Sequence, residues 1–191
     1  MRKILLSIIL CLTFIGQAQA QRYFPGLFGV QARAGVVDGF NTSKGDKQAY
    51  CFGLSFNTYT MNAHQWVFGA EYLEKKHAYK DILLPVQQYT VDVGYYHTLY
   101  VLPSRTFYLL AGISGMGGYE QINKGKKLLF DGSTIENKDC FVVGGAVTLE
   151  LEAFLTDKFI LTLTARERAL FGSTTGKFHF QLSAGVRFII N

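Results

Sequence analysis

A chain of 191 residues is sized for one domain, so a second hydrophobic core is not expected. Hydrophobic residues make up 49% and aromatics 15%, yet mean hydropathy is only +0.14, so apolar and polar residues are interspersed and a bundle of membrane helices is excluded. The formal charge of +5 is too small, and too scattered, to argue for a nucleic-acid surface.

The one massed apolar stretch comes first. Met1-Arg2-Lys3 is basic, Ile4 to Gly16 is apolar, and Ala18-Gln19-Ala20 has the small-x-small form of a cleavage site. These are the three parts of a secretory signal peptide, with cutting expected after Ala20. The apolar part is shorter than the roughly 20 residues that span a bilayer. Cys11 follows Leu10 where a lipoprotein signal needs a small residue, so it reads as filler of the leader. Loss of Arg2 and Lys3 leaves +3 on residues 21–191. The remaining lysines gather in turn-rich stretches such as Lys124-Gly125-Lys126-Lys127 and read as solvated loop charge; no direct nucleic-acid contact is expected.

After residue 20 the pattern has a period of two, eight times over. Phe28, Val30, Ala32, Ala34 and Val36 alternate with Gly29, Gln31, Arg33 and Gly35. Tyr50, Phe52, Leu54 and Phe56 then alternate with Cys51, Gly53, Ser55 and Asn57. The third segment sets Trp66, Phe68, Ala70 and Tyr72 against Val67, Gly69 and Glu71, and the fourth sets Tyr89, Val91, Val93 and Tyr95 against Gln88, Thr90, Asp92, Gly94 and Tyr96. The fifth, Phe107 to Ser114, is the least clean. The sixth opposes Phe141, Val143, Val147, Leu149 and Leu151 to Gly144, Ala146, Thr148, Glu150 and Glu152. The seventh opposes Phe159, Leu161, Leu163 and Ala165 to Thr162, Thr164, Arg166 and Arg168. In the eighth, Phe178 through Ile190 at even positions oppose Lys177, His179, Gln181, Ser183, Gly185 and Arg187.

Eight such segments of about ten residues predict an all-β protein, an eight-stranded antiparallel up-and-down transmembrane barrel spanning residues 21–191. The connections alternate: 37–47, 74–85, 120–139 and 170–176 are mostly long, whereas 60–64, 102–105 and 156–158 are short. Short periplasmic turns and long external loops are the rule for bacterial outer-membrane barrels, which places the N-terminus in the periplasm.

The polar face carries Arg33, Glu71, Asp92, Glu150, Glu152, Arg166, Arg168 and Arg187. These would line an apolar-ligand cavity badly. They suit a small-barrel interior filled by side chains, a salt-bridged plug whose expected partners are Arg33 and Arg187 on the paired terminal strands with Glu150, Glu152, Arg166 and Arg168 on strands six and seven, Glu71 and Asp92 supplying further acid. The apolar face bears aromatics toward both strand ends, as two interfacial girdles in outer-membrane lipid require.

No catalytic, cofactor or metal site is expected. His64, His77, His97 and His179 fall in different places without a local motif, so a lipid-modifying Ser and His pair is not indicated. Gly112, Gly115, Gly117, Gly118, Gly144 and Gly145 lie on strands, where they permit close packing or bending and form no phosphate loop. Cys51 and Cys140 lie on strands two and six, opposite each other in the ring, and are expected to stay unpaired. Gly185, Phe188 and Ile190 have the form of a C-terminal signal for the barrel assembly machinery.

Several stretches also resemble one family. Gln21-Arg22-Tyr23 with Pro25, Ala34-Gly35-Val36-Val37-Asp38-Gly39, the run from Leu151 to Phe159, Arg166-Glu167-Arg168, Phe171-Gly172-Ser173 and the ending from Gly185 to Ile190 are together similar to the TraO family of Bacteroidetes conjugative transposons. Phe171 stands where that family often has Trp. The resemblance implies an outer-membrane component of a conjugal DNA transfer apparatus, with other transfer proteins as partners and an anchoring or organising role. A surface barrel for adhesion or envelope integrity would share the same strand pattern.

Overall fold

The computed structural model describes residues 25–38, 49–79, 82–125, 134, 139–173 and 177–190. The expected leader, its cleavage site and much of the long connections lie outside the described residues. Eight strands form: β1 (Phe28–Val37), β2 (Ala49–Tyr59), β3 (Gln65–Tyr79), β4 (Ile82–Val101), β5 (Phe107–Ile122), β6 (Cys140–Phe154), β7 (Phe159–Phe171) and β8 (Phe178–Ile190). Each is antiparallel to its sequence neighbour, and β1 closes on β8 from Phe28↔Ile190 to Val37↔Gln181. Closure leaves the wall without a free edge, which a sheet in hydrocarbon requires because unpaired amides there cost several kcal/mol each.

Alternation becomes geometry along every strand. On β8, Phe178, Phe180, Val186, Phe188 and Ile190 face outward while His179, Gln181, Ser183 and Arg187 are buried inside. Two rings of aromatic pairs mark the wall. Near the short turns, Phe28 stacks on Phe56 at 5.4 Å, Trp66 meets Tyr95 at 5.2 Å and Phe159 meets Phe188 at 5.1 Å. Near the long connections, Tyr50 meets Phe52 at 5.7 Å, Tyr72 meets Tyr89 at 5.2 Å and Tyr119 meets Phe141 at 5.4 Å. Val30, Leu54, Val91, Ile113, Val147 and Leu163 cover the band between.

The short turns close tightly. Thr60 N–H and Oγ1 both donate to the His64 carbonyl, and Asn62 and Ala63 take left-handed φ of 61° and 62° inside that turn. Thr156 Oγ1 accepts the backbone N–H groups of Lys158 and Phe159.

The connection expected as a loop over 74–85 is instead mostly paired strand. β3 and β4 continue as a hairpin from Lys75↔Val86 to Tyr79↔Ile82. Above the wall there is neither lipid on one side nor a lumen on the other, so the period-two signal stops while backbone pairing persists. Pro85 is tolerated there because β4 begins pairing with β5 only at Val86, leaving Pro85 on a free edge.

Candidate functional site

The lumen gathers the charged residues into two layers. In the layer nearer the short turns, Arg187 is fully buried and forks between the two acids of β6. Its Nη2 lies 2.6 Å from Glu150 Oε1 and its Nη1 contacts Glu152 Oε1. Gln31 Oε1 accepts from Arg187 Nε at 3.0 Å, while Tyr59 hydroxyl and Gln65 Oε1 accept from Nη1 at 2.9 and 3.0 Å. Thr164 Oγ1 donates to Glu150 at 3.0 Å, and Gln65 Nε2 donates to Glu152 at 3.0 Å. Buried ions need partners on every lone pair and proton, and these neutral groups supply them.

The second layer is centred on Glu71. Its Oε2 lies 3.0 Å from Arg33 Nη2, and its Oε1 accepts from Arg168 Nη1 at 2.9 Å and Gln181 Nε2 at 2.8 Å. Arg166 Nη2 reaches Asp92 Oδ2 at 3.3 Å and the Tyr96 hydroxyl at 2.8 Å, and its Nε donates to Thr148 Oγ1 at 3.1 Å. Within the expected network, Arg33 joins Glu71 and lies 3.8 Å from Asp92, while Glu150 and Glu152 are held by Arg187.

Register explains the choice. Arg33 stands beside Gly53, and Gly53 beside Glu71, across three adjacent strands. A methyl group on Gly53 would lie 2.7 Å from Arg33 Nε, so the missing side chain is what lets the guanidinium lie along the wall and reach the acid. Gly69 does the same for Asp92, whose Oδ1 would be 2.5 Å from an added Cβ, and Gly112 for the Tyr96 ring.

Apolar clusters flank the charged layers on both sides. Tyr59, Val67, Tyr96, Tyr108, Leu110 and Phe154 belong to a buried cluster at the short-turn end, and Val37, Ala49, Cys51 and Leu73 to one at the other. Glu120, expected in a loop, is buried in the lumen, accepting from Gln88 Nε2 at 2.6 Å and Ser173 Oγ at 2.7 Å. Its even parity continues that of Tyr108 and Leu110; the glycines at 115, 117 and 118 obscure the pattern between them.

At the long-connection rim Asp38, with φ of 56°, ties three strands together. Its carboxylate lies 2.5 Å from Lys75 Nζ and 3.2 Å from His179 Nδ1, and accepts the Phe180 N–H at 3.3 Å. Burial alone would raise its pKa, but Lys75 and His179 outweigh that and hold it below the ordinary aspartate value.

Of the four histidines, two come together where scatter was expected. His64 and His97 stack with ring centroids 4.0 Å apart, and His64 Nδ1 accepts the Thr98 N–H at 3.0 Å. Burial and the neighbouring His97 lower the pKa of His64. His77 is on β3, with its side chain outside the described set. Among the described residues, no three His, Cys, Asp or Glu side chains group to hold a metal ion. Both cysteines are free; Cys51 is buried and Cys140 Sγ donates to the Gly172 carbonyl at 3.0 Å.

Gly185 faces Arg33 across the closing seam, where an added Cβ would meet the Ala32 carbonyl at 2.6 Å, while Phe188 and Ile190 project outward. Gly185 is thus a packing requirement of closure whatever else reads it.

A family model described as conjugative transposon protein TraO matches residues 24–190. No curated protein matches the chain. Among solved structures, Neisserial surface protein A is similar at 20% identity with a TM-score of 0.55, covering 84% of this chain and 96% of that one. The attachment invasion locus protein Ail of Yersinia pestis is 13% identical with a TM-score of 0.49, covering 86% and 100%. The N-terminal β-barrel domain of Pseudomonas aeruginosa OprF is 10% identical with a TM-score of 0.45, covering 84% and 97%. The first of these shares the fold; the lower-scoring two add nothing to that.

Proposed function

The chain belongs to the conjugative transposon protein TraO family, and on that premise we propose that it is an outer-membrane component of a conjugative DNA transfer apparatus which anchors or organises other transfer proteins and does not conduct DNA. The family match over residues 24–190 carries the conjugative part of this reading. The two aromatic girdles around an apolar band support residence in the outer membrane. The non-conducting part rests on the lumen, where Arg166, Arg168 and Arg187 are each at most 2% exposed and span between facing strands.

In this reading the leader is removed after Ala20, the barrel assembly machinery recognises Gly185, Phe188 and Ile190, and the short turns and N-terminus face the periplasm. The lumen network of Arg33, Glu71, Asp92, Glu150, Glu152, Arg166, Arg168 and Arg187 serves as a plug, and the protein is not an enzyme. Partners then meet its rims. Deletion of the gene in a donor should lower transfer frequency at least tenfold, and the wild-type gene in trans should restore it. Transfer unchanged by deletion would overturn the proposal.

A further inference from the structure

The Glu71 layer is unbalanced. Among the described residues, three guanidiniums, on Arg33, Arg166 and Arg168, lie within 4 Å of only two carboxylates, Glu71 and Asp92. Glu71 already accepts from Arg33, Arg168 and Gln181. Among the described residues Arg168 is engaged through Nη1 alone: its Nε and Nη2 are buried without a hydrogen-bond partner there, and its side chain is 0% exposed. Arg166 Nη1 has none either, lying 3.9 Å from Glu71 Oε2. His179, the cross-strand neighbour of Arg168, is in the same condition at Nε2 because its Nδ1 faces Asp38.

Among the described residues, the other inward-facing acids are committed elsewhere. Glu120 is bonded to Gln88 and Ser173, and Glu150 and Glu152 hold Arg187 in the opposite layer. On the long-connection side, Cys51 packs with Val37, Ala49 and Leu73. The spare N–H groups of Arg168 therefore lie in a place that is both cationic and poor in water. A buried guanidinium left with an uncompensated charge is strongly destabilising. A water molecule could accept its protons but would leave the charge; an anion answers both.

We infer that this layer holds one small inorganic anion of the halide class, bound by Nε and Nη2 of Arg168. A monatomic ion is the form that packed side chains on all sides admit. The inference is independent of the conjugative role.

The test uses the intact protein purified in detergent. Its thermal midpoint is followed by the fluorescence of its single tryptophan, Trp66, in potassium gluconate and in potassium chloride at equal ionic strength. Chloride should raise the midpoint by about 2–4 °C, and the rise should grow with the logarithm of chloride concentration, as for any ligand that binds the folded state. Arg168→Met should abolish that shift, and the exposed-site control Lys158→Gln should keep it. Crystals grown in bromide should show an anomalous peak against Arg168 Nε and Nη2. The proposal is overturned by a wild-type midpoint indifferent to halide, by a shift that survives Arg168→Met, or by crystals without that peak. Should Arg168→Met fail to fold, the wild-type halide series and the bromide crystals decide.

Discussion

Replacing Arg187 by Met isolates the energetics of the lumen. The side chain donates to Gln31, Tyr59, Gln65, Glu150 and Glu152, and its removal takes away the guanidinium that bridges two buried carboxylates, two residues apart on the same face of β6. Breaking a buried pair in this way costs about 3–5 kcal/mol. An independent route gives the same size. Neutralising one glutamate of ordinary pKa near 4.3 by protonation at pH 7 costs about 3.7 kcal/mol, from 1.36 kcal/mol per pH unit. The second route also fixes a sign. A folded state that must carry a proton which the unfolded state lacks loses stability as pH rises, so the defect at pH 7 should shrink by about 2.7 kcal/mol at pH 5. The assay is urea unfolding of the purified protein at both pH values, read by Trp66, which packs on Tyr95 at 5.2 Å on the lipid face. The triple substitution Arg187→Met, Glu150→Gln, Glu152→Gln should recover most of the loss. A defect under about 1 kcal/mol at pH 7, or one that ignores pH, would refute a charge-based account and leave only lost packing.

Four other outcomes follow from the geometry. Gly144→Ala should destabilise the barrel by about 1–3 kcal/mol, because the new methyl would lie 1.9 Å from the Ala169 carbonyl, whereas Gly115→Ala, with nothing within 4 Å, should be neutral in the same unfolding assay. The Asp38 tie to Lys75 and His179 should persist through neutral and mildly acidic pH and be lost only below about pH 4, since a depressed carboxylate pKa contributes stability that is complete above the unfolded value and vanishes as pH falls through the folded one; backbone amide shifts of Phe180 would report it. Maleimide should label Cys140 before Cys51, and mass spectrometry without reduction should find two thiols in the folded chain after leader removal. If the lumen is a plug, the folded triple variant at residues 150, 152 and 187 should support conjugal transfer at the wild-type frequency, measured by donor and recipient plating.

Parity was legible in the sequence, and register was not. The eight charges assigned to the inner face can be read off because a period of two sorts side chains by face regardless of neighbours. Which of them meet depends on how far each strand slides against the next, and that slide leaves no trace in alternation. Arg33 reaches Glu71 only because β1, β2 and β3 place Arg33, Gly53 and Glu71 in one row. Glycines such as Gly53 and Gly69 therefore carry as much of the site as the charges do, yet as residues they look like strand breakers. The long β3–β4 hairpin escaped for the converse reason: pairing outlasts the lipid that gives the alternation its cause.

The packed lumen also bears on the proposed non-conducting role. Side chains from facing strands fill the charged layers, with buried apolar clusters on both sides, so opening a path would break Arg187 from Glu150 and Glu152, break the Glu71 hub, and expose Leu110 and Leu73 to water together. These losses add, because the layers are separate contact sets. At one rim Asp38 fastens β1 to β8 and to β3 just before the chain leaves the wall, and at the other the stacked His64 and His97 border the short turn after β2. In the proposed anchoring role, these two tied rims are the surfaces that would hold partner proteins in a defined orientation.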